Sequence, residues 1–186
     1  MMKKLCFAII AIIAMGMAAL VNAQEVKIGV KVGMNISSLN GNEDNLDAQD
    51  GWVLGGTAEI ALTEKFSLQP EFLYSQQGAQ DRENFLYDLK YMTMPIIAKY
   101  YIAEGFSLEA GPQISFLIKD EILSKTSDAT LNPNSENIDI AMNLGFGYQL
   151  NKRFSVQTRY SIGTMDVDKE ARLKNGVLQM TVGYRF

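Results

Sequence analysis

The chain has no histidine and one cysteine, and only one tryptophan and four prolines among its 186 residues. Each scarcity excludes something. Without histidine there is no Ser-His or Cys-His nucleophilic pair, and a zinc site lacks its usual ligands. The lone cysteine, Cys6, lies in an N-terminal run that export is expected to remove, so the remainder has no disulfide to lean on. Basic residues are not in excess. Seventeen Lys and Arg face 21 Asp and Glu, a net charge of −4, which gives nucleic acid nothing to bind. After residue 23 no apolar run approaches the roughly 20 residues that a membrane helix needs.

The N-terminus carries a secretory pattern. Lys3 and Lys4 precede an uncharged run over residues 5–20, and Val21-Asn22-Ala23 supplies small residues for cleavage. That order predicts a signal peptide over residues 1–23, cut after Ala23. Cys6 does not follow a cleavage site, so no lipoprotein is expected. Residues 24–186 then form the mature domain, with 15 basic and 21 acidic residues and a net charge of −6.

The mature part is dominated by alternation with period two, the mark of a strand with unlike faces. It recurs eight times, over residues 26–37, 51–62, 66–77, 92–102, 106–118, 138–150, 154–163 and 177–186. In the first run Ile28, Val30, Val32, Met34 and Ile36 alternate with Lys27, Gly29, Lys31, Gly33 and Asn35. Three connections are tight, at residues 63–65, 103–105 and 151–153. Four are long and polar, at residues 38–50, 78–85, 119–136 and 164–175. Short turns at one end and long loops at the other are the habit of outer-membrane barrels. Each tight turn leads into a similar start: Phe66-Ser67-Leu68-Gln69, Phe106-Ser107-Leu108-Glu109 and Phe154-Ser155-Val156-Gln157. These phenylalanines, with Tyr100, Tyr148, Tyr184 and Phe186, are expected to form an aromatic girdle at one membrane boundary.

Periodicity alone does not say which face points inward. A soluble lipocalin-like periplasmic barrel would turn its apolar face in, and a membrane barrel turns it out. The less apolar face carries Lys27, Lys31, Glu59, Glu71, Lys99, Glu109, Asp139, Arg159 and Arg185. Glycine is frequent on the same face, at Gly29, Gly33, Gly55, Gly111, Gly145, Gly147, Gly163 and Gly183. Glycine weakens an exposed strand, but inside a narrow eight-stranded barrel it makes room for a long neighbour. Five cations and four anions in such an interior can neutralise one another, as buried charges must. The apolar face is free of charge except Asp88 and Lys90, near the loop end of the fourth strand. The expectation is an all-β fold: an eight-stranded antiparallel up-and-down transmembrane β-barrel in a bacterial outer membrane. Pro70, Pro95 and Pro112 fall within strands, where each removes a ladder bond; bulges are expected there.

Tyr91-Met92-Thr93-Met94-Pro95 followed by Lys99-Tyr100-Tyr101, Ala110-Gly111-Pro112-Gln113-Ile114-Ser115, and Gly145-Phe146-Gly147-Tyr148 followed by Arg159-Tyr160 resemble the PorT family of outer-membrane β-barrel proteins. The resemblance spans residues 24–186 and implies an eight-stranded barrel in a Gram-negative outer membrane. It implies little about activity, and the secretion and gliding role of the name-giving member is not carried over. The ending Gly183-Tyr184-Arg185-Phe186 resembles the C-terminal signal read by the barrel assembly machinery, with Tyr184 and Phe186 as its aromatic residues.

Candidate chemistry is sparse. Glu59 and Glu71 could make a carboxylate pair, but beside Lys99 they read as part of a structural ion network. Glu43, Asp44, Asp47 and Asp50 form an acidic cluster without the D-x-[DN]-x-[DN]-G calcium spacing. The expectation is a non-enzymatic protein with no cofactor and no metal. Its partners are outer-membrane lipid, the assembly machinery, and an unidentified extracellular or envelope protein met by the long loops. The alternatives are a small-molecule transport or binding barrel and the soluble lipocalin-like one.

Overall fold

The computed structural model describes residues 25–40, 46–81, 85–124, 130–131, 138–168 and 173–186. The signal-peptide expectation for residues 1–23 lies outside them, as do Glu43 and Asp44 of the acidic cluster.

Nine strands are present among the described residues: β1 (Val26–Asn40), β2 (Leu46–Ala61), β3 (Phe66–Asp81), β4 (Phe85–Ala103), β5 (Phe106–Ser124), β6 (Thr130–Leu131), β7 (Ile138–Gln149), β8 (Phe154–Asp168) and β9 (Leu173–Arg185). Eight of them are staves. Neighbours pair antiparallel in the order β4-β3-β2-β1-β9-β8-β7-β5, and β4 with β5 closes the ring. The two residues of β6 extend the β5 ladder at Ile122 and Leu123. Closure removes free strand edges, as spanning a bilayer requires.

The tight turns are set locally. The Thr63 hydroxyl accepts from the backbone N–H of Lys65 and Phe66. The Asn151 side chain does the same for Arg153 and Phe154. Gly105 supplies the positive φ of 75° that a residue with a side chain rarely adopts. Each turn delivers its phenylalanine opposite a tyrosine: Phe66 pairs with Tyr100, Phe106 with Tyr148 and Phe154 with Tyr184. These Phe–Tyr rungs form the expected girdle, and Phe186 stacks edge-on against Tyr184 at 5.7 Å.

The faces are inverted relative to a soluble barrel. Ile28, Val32, Met34, Leu108, Leu144, Phe146 and Val182 are exposed, while Lys31, Glu59, Glu71, Lys99, Glu109 and Arg159 are buried. This arrangement is stable only with lipid outside, and it sets aside the lipocalin-like alternative.

Two expectations need correction. The strands run further than the alternation: β1 continues to Asn40, β2 begins at Leu46, β3 reaches Asp81, β5 reaches Ser124 and β8 reaches Asp168. Asp47 and Asp50 therefore belong to β2. Alternation stops where lipid stops, because only lipid demands an apolar outer face; ladder bonds persist beyond it. Secondly, the prolines sit in unbroken register. Pro70 faces Ile96, Pro95 faces Gln113 and Pro112 faces Met142. Register shifts occur elsewhere, between Ala48 and Val53, between Lys90 and Tyr91, between Tyr101 and Ala103, and beyond Ile162.

Candidate functional site

The interior charges form an alternating chain. The Lys31 Nζ lies 2.8 Å from Glu71 Oε2. The other Glu71 oxygen lies 2.8 Å from Arg159 Nη1, and Arg159 Nε is 2.6 Å from Glu109 Oε2. Glu109 Oε1 is 3.4 Å from Lys99 Nζ, which is 3.3 Å from Glu59 Oε2. Arg185 Nη2 ends the chain, 2.6 Å from the same Glu59 oxygen. Seven residues thus alternate in sign, both ends are cations, and every carboxylate has a cation on each side.

Neutral side chains take up the remaining capacity. The Tyr101 hydroxyl donates to Glu59 Oε1 at 2.6 Å and that of Ser67 at 3.2 Å. Gln69 donates to Glu71 at 2.6 Å, and the Gln157 carbonyl accepts from Lys31 and Arg159. Buried charges persist only when paired and hydrogen-bonded in this way.

Glycine makes the chain possible. Lys31 faces Gly55 on β2 and Gly183 on β9, where an added Cβ would meet the Leu73 side chain at 2.9 Å and the Ser155 hydroxyl at 2.8 Å. Gly145 stands between Glu109 on β5 and Arg159 on β8. At Gly147 an added Cβ would come within 2.5 Å of Glu109 Oε1 and 3.0 Å of Ser107 Oγ.

Seven of the nine charges read from the sequence meet in this cluster, and two do not. Lys27 sits at the turn-end rim, its side chain 39% exposed, paired with Glu25 at 3.6 Å. Asp139 is buried opposite Ser115, away from the chain, and its Oδ1 has no hydrogen-bond partner. Glu59 and Glu71 are separated by their own cations, which leaves no shared carboxylate site. Among the described residues no cluster of acidic, Cys or His side chains is placed to hold a metal ion.

The alternation also conceals an apolar part of the interior. Val53, Leu73, Leu89, Tyr91 and Ile97 are buried on the inward face. Their strands read as apolar on both sides, so period two gives no warning of them.

Among the described residues the interior beside the cluster is filled. The space beside the cluster, between Lys31, Glu59, Gln69 and Gln157, measures about 10 Å³, no more than one water molecule needs. A wider cavity of about 830 Å³ opens at the turn end, bordered by Lys27, Glu104, Lys152, Arg185 and Phe186, and it stops at the cluster. In planar bilayers the purified protein is therefore expected to show no stable large conductance. A steady open channel of nanosiemens size would mean that the cluster rearranges in the membrane.

A family model described as "Outer membrane protein beta-barrel domain" matches residues 22–169. Among solved structures the chain is similar to Ail, the attachment invasion locus protein of Yersinia pestis, with 18% identity, 87% of this chain and 99% of that one covered, and a TM-score of 0.59. It is also similar to Neisserial surface protein A, with 11% identity, the same two coverages and a TM-score of 0.59. At these identities the likeness concerns the fold. No curated protein matches the sequence.

Proposed function

Because this chain belongs to the outer membrane protein beta-barrel domain family and lies in the bacterial outer membrane, we propose that it is a non-enzymatic surface protein: a rigid pedestal that carries polar hairpin tips outside the cell. One observation carries this reading. The lumen is closed by charges that neutralise each other, while the strands continue past the membrane on the side away from the tight turns. β4 and β5 reach 19 residues each, against the 9–11 or so that cross a bilayer. A plugged interior offers little to transport, and backbone invested beyond the lipid is placed to meet a partner. Binding residues commonly sit on such connecting segments.

Biogenesis in this reading follows the sequence. Residues 1–23 direct export and are removed. Tyr184 and Phe186 present the aromatic ending to the barrel assembly machinery. We read the motifs around Tyr91, Gly111 and Gly147, which resemble the PorT family, as the sign of a PorT-like branch. The partner of the tips is an extracellular or envelope protein.

Replacing residues 119–136 with a tight turn tests this division. The shortened protein is expected to assemble as a barrel whose gel mobility shifts on heating, and to lose whatever phenotype depends on the gene. Full complementation by the shortened protein would remove this tip from the working surface. Failure to assemble would show the tip to be part of the barrel's own structure.

A further inference from the structure

The wall from β2 to β5 is paired differently from the rest. Between β2 and β3 the pairing runs to Thr57 with Glu71 and resumes at Ile60 with Leu68, so residues 58–59 and 69–70 are skipped. Between β3 and β4 it stops at Pro70 with Ile96 and resumes at Leu73 with Thr93. Between β4 and β5 it stops at Pro95 with Gln113 and resumes at Ala98 with Ala110. Each gap contains one proline, Pro70, Pro95 or Pro112, on the strand further along the chain. Each proline lacks the N–H that would close the gap, and the three step diagonally across adjacent strands. The other wall has no such line. β7 pairs with β8 without a break from Ala141 to Gln149, and β1 with β2 from Val26 to Ser37.

Side chains tie the same strand pairs from inside, beside the gaps and on their turn-end side. The Ser67 hydroxyl on β3 donates to Glu59 on β2 at 3.2 Å. The Lys99 ammonium on β4 donates to Gln69 on β3 at 3.2 Å and to Glu59 on β2 at 3.3 Å. It also pairs with Glu109 on β5 at 3.4 Å. One cation is therefore tied to all three other strands of the interrupted wall. On the lipid side the gaps carry the short or rigid Ala58, Pro70 and Pro112 together with the bulkier Phe72 and Ile96.

We propose that the β2–β5 wall is a compliant seam, the line along which this barrel opens sideways, and that Lys99 is its inner clasp. The prolines remove backbone bonds, the side-chain cluster replaces them, and a side-chain clasp is releasable in a way that a continuous ladder is not. Lys99 acts by positioning the strands. Breaking its contacts loosens this wall and leaves the β7–β8 wall as it was.

Amide hydrogen exchange on the mature protein in phospholipid nanodiscs tests this. In the wild type, the gap-facing amides of residues 58, 71 and 96 are expected to exchange about tenfold faster on average than residues 141–149, the scale of one missing net hydrogen bond. In Lys99→Met the seam is expected to gain roughly another factor of ten for the same reason, with residues 141–149 unchanged. Pro112→Ala restores an N–H opposite residue 96 and is expected to slow exchange there. Equal protection around the wild-type barrel overturns the proposal, and so does acceleration of both walls together in Lys99→Met. If that variant does not fold, the wild-type pattern and Pro112→Ala decide the matter.

Discussion

Glu71→Gln is expected to lower the unfolding free energy by about 3–5 kcal/mol, the usual cost of removing one partner of a buried pair. The alternating order of the cluster explains why a carboxylate is the vulnerable member. Glu71 is held between Lys31 and Arg159 at 2.8 Å each, and its side chain is fully buried. The amide keeps the volume and removes the charge, so two cations lose their shared counter-ion at once. Loss of an end cation is milder. In Lys31→Met, Glu71 keeps Arg159 and Gln69, and the smaller loss is the expected ordering. Arg159→Ala falls between them, because Glu71 keeps Lys31 and Glu109 keeps Lys99. Urea titration of the protein folded in phospholipid vesicles measures all three. The double variant Glu71→Gln with Arg159→Met should recover part of the loss. Strict additivity of the two changes would show that the charges are not coupled.

Leu144→Arg is expected to cost about 2–4 kcal/mol, the penalty for a cation at the bilayer midplane on the lipid face. Leu144 is 53% exposed and stands four residues from Tyr148, which marks the aromatic boundary opposite Phe106. At about 3.3 Å per residue, and with the strand tilted, that is close to halfway through an apolar band about 25 Å tall. The next residue, Asn143, points inward and donates to Gln113, so a one-residue shift of the substitution changes its environment from lipid to polar interior. The same titration reads the effect. An unchanged midpoint for Leu144→Arg would place that face in water and undo the inside-out assignment.

Much of this was legible in the sequence because lipid imposes one strict rule. Wherever a strand meets hydrocarbon its outer face must be apolar, so the membrane section of every stave announced itself. Face membership of the charges followed from the same rule. Their order along the cluster did not, since it depends on register and reach. Lys31 on β1 meets Glu71 on β3 across β2, two strands away, and Lys27 misses the cluster because its position falls at the rim. The strand ends were illegible for a converse reason: beyond the lipid nothing forbids polar residues on either face, so residues such as Asn40 and Gln80 keep pairing after the alternation has gone. The inward Val53, Leu73 and Ile97 were hidden because apolar residues occur on both faces of their strands. The prolines were visible, but the sequence does not say whether the chain bulges or skips bonds in register, and here it skips.

The aromatic rungs bear on how the protein rides in membranes of different thickness. Three Phe–Tyr rungs mark the turn end, whereas the ring stack described at the opposite end is Trp52 on Tyr74, with centroids 4.9 Å apart. Among the described residues the ring contacts are more numerous at the turn end, and hydrophobic mismatch, which costs fractions of a kcal/mol per Å, is expected to be taken up at the other end. There the staves continue past the lipid boundary, through the register shifts after Ala48, Lys90 and Ile162, so the headgroup plane can slide along paired strands. The barrel behaves as a buoy with its keel fixed at the inner leaflet and its waterline free to move.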